Sequence, residues 1–215
     1  MRPRLHWMLI GAPALVLALS LSPTEQTARG EIRGSEHDFS SQGWASGEIC
    51  LPCHTPHNAD QSVTQAPLWN HAVTTASFTV YSSPTLQATV AQPGGSSKLC
   101  LSCHDGTVAI DSFGGTTGTT MVTGAANVGT DLSNDHPVSF TYDATLAASD
   151  GRLVDPAADG DTNPDTVGMS SPYVPLFAGK LECASCHDPH NGTSIEGLLR
   201  VSNAGSGLCL KCHDL

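Results

Sequence analysis

The chain has 215 residues and a net charge of −11, with 21 glycines and only 5% aromatic residues. So acidic a chain repels phosphate, which excludes nucleic acid and anionic membrane as natural partners. So few large apolar side chains also argue against an ordinary hydrophobic core built from protein alone.

Residues 1–30 read as a secretory signal peptide. Arg2 and Arg4 supply the positive start and Trp7 to Leu21 a largely apolar stretch, with cleavage expected between about residues 20 and 30. That stretch is shorter than the roughly 20 residues needed to span a bilayer, so no membrane span is expected in the mature chain. Residues 31–215 then form a single domain with six basic and nineteen acidic residues, a net −13.

Along this domain one motif recurs four times: Cys50-Leu-Pro-Cys53-His54, Cys100-Leu-Ser-Cys103-His104, Cys183-Ala-Ser-Cys186-His187 and Cys209-Leu-Lys-Cys212-His213. Together these use all 8 cysteines. CxxCH is the attachment signature of haem c: two thiols add to the porphyrin vinyl groups and the adjacent histidine ligates iron. A thioredoxin-type pair does not recur four times, and a zinc site does not need histidine after every second cysteine. A disulfide framework gives no reason for the uniform spacing. Four covalent haem c groups are therefore expected, forming the core around which the polypeptide wraps. Export fits, because bacterial haem attachment takes place outside the cytoplasmic membrane.

The connecting segments carry weaker signals. Residues 72–81 alternate β-branched and aromatic types, predicting a short strand or hairpin. Ser96–Cys100 is expected to start a helical turn bearing the second motif. The glycine- and threonine-rich stretch after it argues against a long helix. Ile195–Val201 is a candidate short helix or strand. Asp159, Asp161, Asn163 and Asp165 alternate as calcium ligands do, but Pro164 stands where an EF-hand loop has glycine and Ser170 where it has glutamate. A solvated acidic turn is favoured there over Ca²⁺. The fold class expected is mostly coil, with a few short helices and minor β-hairpins.

Each iron needs a second axial ligand. His54, His104, His187 and His213 are the proximal ligands, which leaves His37, His57, His71, His136 and His190 as distal candidates. Five histidines for four haems point to bis-histidine ligation and low-spin, electron-carrying iron. His57 and His190 lie three residues after a motif histidine, too close to reach the far face of the same porphyrin. Each should serve a neighbouring haem, forcing haems into near contact. One histidine is surplus; it is either unused or, most plausibly His37, donated to another subunit.

Several stretches carry a family resemblance: His37-Asp-Phe-Ser, Cys53-His-Thr-Pro-His57, Pro67-Leu-Trp-Asn-His71, Asn134-Asp-His-Pro-Val-Ser-Phe140 and Leu181-Glu-Cys-Ala-Ser-Cys-His-Asp-Pro-His190. The chain resembles the OmcE-type tetrahaem cytochromes of metal-reducing bacteria, whose subunits polymerise into extracellular nanowires. The resemblance implies a continuous line of bis-histidine haems, little regular secondary structure, and a histidine passed between subunits. Partners would be further copies of the chain, other redox proteins and extracellular metal acceptors. Two rivals stand beside this reading: a soluble periplasmic electron shuttle, and a multihaem oxyanion reductase, which the abundance of histidine disfavours. No catalytic residues are expected.

Overall fold

The computed structural model describes residues 32–161 and 163–214, so the expected signal peptide lies outside the described residues. Three short helices are described: α1 (Gly95–His104), α2 (Ala144–Asp150) and α3 (Cys183–Cys186). Two antiparallel ribbons accompany them. β1 (Phe140–Thr141) pairs with β4 (Lys180–Leu181), Phe140 opposite Leu181. β2 (Thr166–Val167) pairs with β3 (Val174–Pro175), Val167 opposite Val174. The remainder is coil and single 3₁₀ turns, as the composition predicts. None of the described helices is long and apolar enough to cross a membrane.

Local chemistry sets the helix limits. Asp143 caps α2, its carboxylate accepting the Leu146 N–H at 2.8 Å, and Gly151 closes the helix at φ 73°. Past α1, Gly106 adopts φ +71° with its α-carbon hard against the Asn127 amide, where an added Cβ would lie 2.8 Å from it. Only glycine lets the chain turn there at that spacing.

The strand expected over residues 72–81 does not form. Residues 72–81 make only a single isolated parallel bridge, Thr79 to Asp131, and no strand. Its amides go instead to scattered acceptors: Ala72 N to Ser112 O, Thr74 N to Ser102 Oγ, Phe78 N to Gln92 Oε1 and Thr79 N to Thr130 O. Alternation alone specifies an extended chain; a strand also needs a partner. Ile195–Val201 is likewise neither a regular helix nor a strand, because Gly197 at φ 71° breaks the 3₁₀ turn Glu196–Leu198.

Buried apolar residues form three small clusters. The largest joins Phe140, Tyr142, Leu146, Val154, Val167, Val174, Leu176, Leu181 and Val201, with Cys212 packed on its edge. Val63, Trp69 and Leu99 form the second, against Cys53. Phe78, Leu101 and Leu132 form the third. Leu99 and Leu101 both belong to α1, so this helix joins two clusters while carrying Cys100 and Cys103.

Candidate metal centres

Each motif occupies one helical turn. The histidine N–H bonds to the first cysteine's carbonyl in motifs one, three and four, at 2.8 Å for His54–Cys50 and 3.0 Å for His187–Cys183 and His213–Cys209. The second motif lies in the last turn of α1. Residues i and i+4 share a helix face, so one turn brings thiol and imidazole to the same side. None of the eight cysteines is in a disulfide. Burial pushes the Cys53 and Cys186 thiols up to about 11, and those of Cys103 and Cys212 up to about 12. Thiols held protonated at neutral pH are slow to oxidise against one another.

The thiols also define which motifs adjoin. Cys53 adds to the raising of Cys103, which puts motifs one and two side by side. Cys100 and Cys183 share a thiol–thiol hydrogen bond, joining motifs two and three. Cys186 lies near Cys212 and Cys209, joining three and four. The attachment points therefore follow one another in space in chain order.

Opposite three of the motif histidines stands a second imidazole. His190 faces His54 with ring centres 6.1 Å apart and planes 18° apart. His37 faces His104 at 6.0 Å, and His136 faces His213 at 6.4 Å. A metal–imidazole bond is about 2 Å, and a ring nitrogen lies about 1.1 Å from its ring centre. Two imidazoles sharing one iron thus have centres about 6 Å apart. The spacing fits an iron between each pair. The His136–His213 pair also lines an open cleft with Cys212, Phe140, Tyr142 and Leu146, an apolar wall suited to a flat porphyrin.

Ring nitrogens are sorted by their hydrogen bonds. Nδ1 of His54, His104 and His187 contacts a carbonyl oxygen: Pro67 at 2.6 Å, Ala126 at 2.7 Å and Gly197 at 2.8 Å. Nδ1 of His37 and His136 does the same, to Pro189 at 3.3 Å and Pro137 at 2.9 Å. A carbonyl only accepts, so Nδ1 carries the hydrogen and Nε2 presents its lone pair to a metal. Burial lowers the His37 pKa against the opposing bond to Pro189, and His104 adds to the lowering. Burial, with His136 beside it, also lowers that of His213. Both shifts favour the neutral, ligating imidazole.

His190 owes its place to the residues before it. The Asp188 carboxylate accepts from His190 N at 3.1 Å and Gly192 N at 2.9 Å, a turn that swings His190 away from His187 and toward His54. His71 differs from the other candidates. It is only 2% exposed, with Nδ1 2.8 Å from Ala72 O and Nε2 3.0 Å from Ala109 O. Both nitrogens thus face acceptors, and Cys103 Sγ sits 3.5 Å from Nε2. His57 is exposed, as is His187, and neither belongs to a facing pair among the described residues. His37, the candidate for donation to another subunit, has its ring centre 6.0 Å from that of His104 of its own chain.

The acidic loop uses its side chains on its own backbone. Asp159 accepts from Asp161 N and Gly168 N, Asp161 from Asn163 N and Thr166 Oγ1, and Asn163 from Asp165 N. Among the described residues no three His, Cys, Asp or Glu side chains converge so as to hold a metal ion by themselves.

The carbonyls of Pro67, Ala126, Gly197, Pro189 and Pro137 escape sequence reasoning, since every residue has a carbonyl. The only hint was a proline beside or near several of the histidines.

A family model described as the doubled CXXCH motif matches residues 175–215, spanning the third and fourth motifs. A search of curated proteins finds no significant match. The paired motif marks the chain as a multihaem c-type cytochrome, an electron-transfer protein with haem c bound covalently through these cysteines.

Proposed function

We propose that the chain is an exported tetrahaem electron carrier, each iron held between two histidines, and that it acts as the subunit of an extracellular filament. The observation that carries the electron-transfer reading is the set of three facing histidine pairs at 6.0–6.4 Å, each with one member from a CxxCH motif. Haem supplies a one-electron iron couple; the chain's residues hold it, orient it and close its axial positions. The cysteine pairs would anchor the groups, and His54, His104, His187 and His213 would each supply one nitrogen to iron. His190, His37 and His136 would supply the second at motifs one, two and four. Iron closed on both faces has no place for a small substrate, so no enzymatic step is assigned.

His57 takes the remaining position, opposite His187, and His71 is the surplus histidine. His57 and His187 are both exposed. One subunit's His57 can therefore reach the next subunit's third haem without disturbing the pairs inside either chain. This, with the family resemblance, favours a polymer over a soluble shuttle.

The test uses the mature protein secreted by a host competent in cytochrome c maturation. Intact mass should show four haems, and electron paramagnetic resonance only low-spin iron. Electron microscopy should show filaments that H57A abolishes, with one haem per chain turned high-spin. Four low-spin haems in a wild-type protein that stays monomeric at all concentrations would leave the electron carrier and remove the filament.

A further inference from the structure

The largest fully buried side chain among the described residues is an acid. Glu182 is 2% exposed and makes no ion pair among the described residues. Its Oε2 accepts from the Ser97 hydroxyl, from Ser97 N at 3.4 Å and from the Ser139 hydroxyl at 2.7 Å. Both serine oxygens are themselves engaged as acceptors, Ser97 Oγ by Cys183 N at 2.9 Å and Ser139 Oγ by Gly94 N at 3.1 Å. Their hydroxyl hydrogens are thereby directed at the carboxylate, which acts purely as an acceptor, the role of the ionised form.

These contacts knit three segments. Ser97 belongs to α1, which carries Cys100, Cys103 and His104. Glu182 itself precedes α3, which carries Cys183 and Cys186, and its own N–H is held by Ser185 Oγ at 3.0 Å. Ser139 lies three residues after His136. The backbone of α1 closes over the acid so tightly that a Cβ at Gly95 would stand 3.1 Å from Oε1. Beside this knot the Cys100 and Cys183 thiols meet.

We propose that Glu182 is a positioning and potential-setting residue for the haems of the second and third motifs. The inference rests on the proposed loading of both motifs. Its hydrogen bonds fix the spacing of α1 against α3, and so of the two haems they carry. Its charge lies in a low-dielectric interior between the helices that carry the cysteines of both motifs. An anion there stabilises ferric over ferrous iron, which carries one more electron, and so lowers both midpoint potentials. The remaining two haems, whose cysteines lie elsewhere, are not shifted by this charge.

The experiment is a potentiometric titration of the holoprotein, following each haem optically and by electron paramagnetic resonance. E182Q, which keeps the shape and loses the charge, should retain every haem and shift two midpoints upward while two stay in place. All midpoints unmoved with a full haem complement would overturn the proposal. Should E182Q lose haem, S139A is measured instead. It removes one donor and leaves the anion less compensated, so the same two midpoints should move downward, and unmoved values again overturn the proposal. The wild-type mass separates the two claims. A chain lacking haem at the second or third motif would defeat the tetrahaem reading along with this one, whereas a full complement with immobile midpoints defeats this one alone.

Discussion

The imidazoles of His54 and His190 lie almost parallel, 6.1 Å apart, although they come from opposite ends of the domain. The Asp188 turn makes this pairing, and it binds the first motif to the third. If the pair brackets an iron, H190A should convert one haem to high-spin iron, and H37A and H136A one each. H71A should convert none. The ferric high-spin signal, integrated per chain, reads all four variants. A high-spin haem in H71A would return that residue to the ligand set.

What could be read along the chain and what could not divide on physical grounds. A CxxCH motif is covalent chemistry within five residues, so Cys50–His54 or Cys209–His213 is complete in itself. The α2 limits are equally local, set by Asp143 and Gly151, although no helix was expected there. Distal ligation is not local. His71 and His136 look alike in sequence, each in a polar-to-apolar stretch. Only the fold shows that Nε2 of His71 meets Ala109 O while His136 faces His213. The alternation of segment 72–81 was legible in the sequence. Its lack of a paired strand was not, because its acceptors come from residues as distant as Ser112 and Thr130.

Tyr142 anchors the last motif. Its hydroxyl donates to Val154 O at 2.9 Å and Cys212 O at 3.2 Å, and burial raises its pKa. Y142F removes the one hydroxyl hydrogen shared by Val154 O and Cys212 O, the latter still accepting Val154 N at 2.8 Å, and should cost about 0.5–1.5 kcal/mol, read as a lower midpoint of thermal unfolding with all haems retained.

Phe140 lies at the centre of the main cluster, opposite Leu181 and beside Tyr142. F140A should cost about 3–5 kcal/mol in chemical denaturation, the range for a large aromatic removed from a core. Loss of less than about 1 kcal/mol would show that bound haem, and not this cluster, stabilises the region.

Asp111 gives a pH signature. Burial pushes its carboxyl up, but the Thr120 and Thr119 N–H groups, bonded at 2.8 and 2.9 Å, outweigh this and hold it below the ordinary carboxylate range. The folded state therefore binds its proton less readily than the unfolded one. Stability from this site is present above about pH 4 and lost as pH falls through the lowered folded value. Hydrogen exchange at Thr119 and Thr120, corrected for intrinsic rates, should show protection near pH 6 that fades toward about pH 3. D111N should abolish the pH dependence of that protection.

The carbonyl oxygens that orient His54, His104, His187, His37 and His136 belong to the main chain. No side-chain replacement at positions 67, 126, 197, 189 or 137 can delete them; only a change that reroutes the backbone can. The chain can thus accept wide substitution in its loops while its imidazoles keep their aim. Its vulnerability lies in loop length and path, so insertions and deletions should do more harm than point changes.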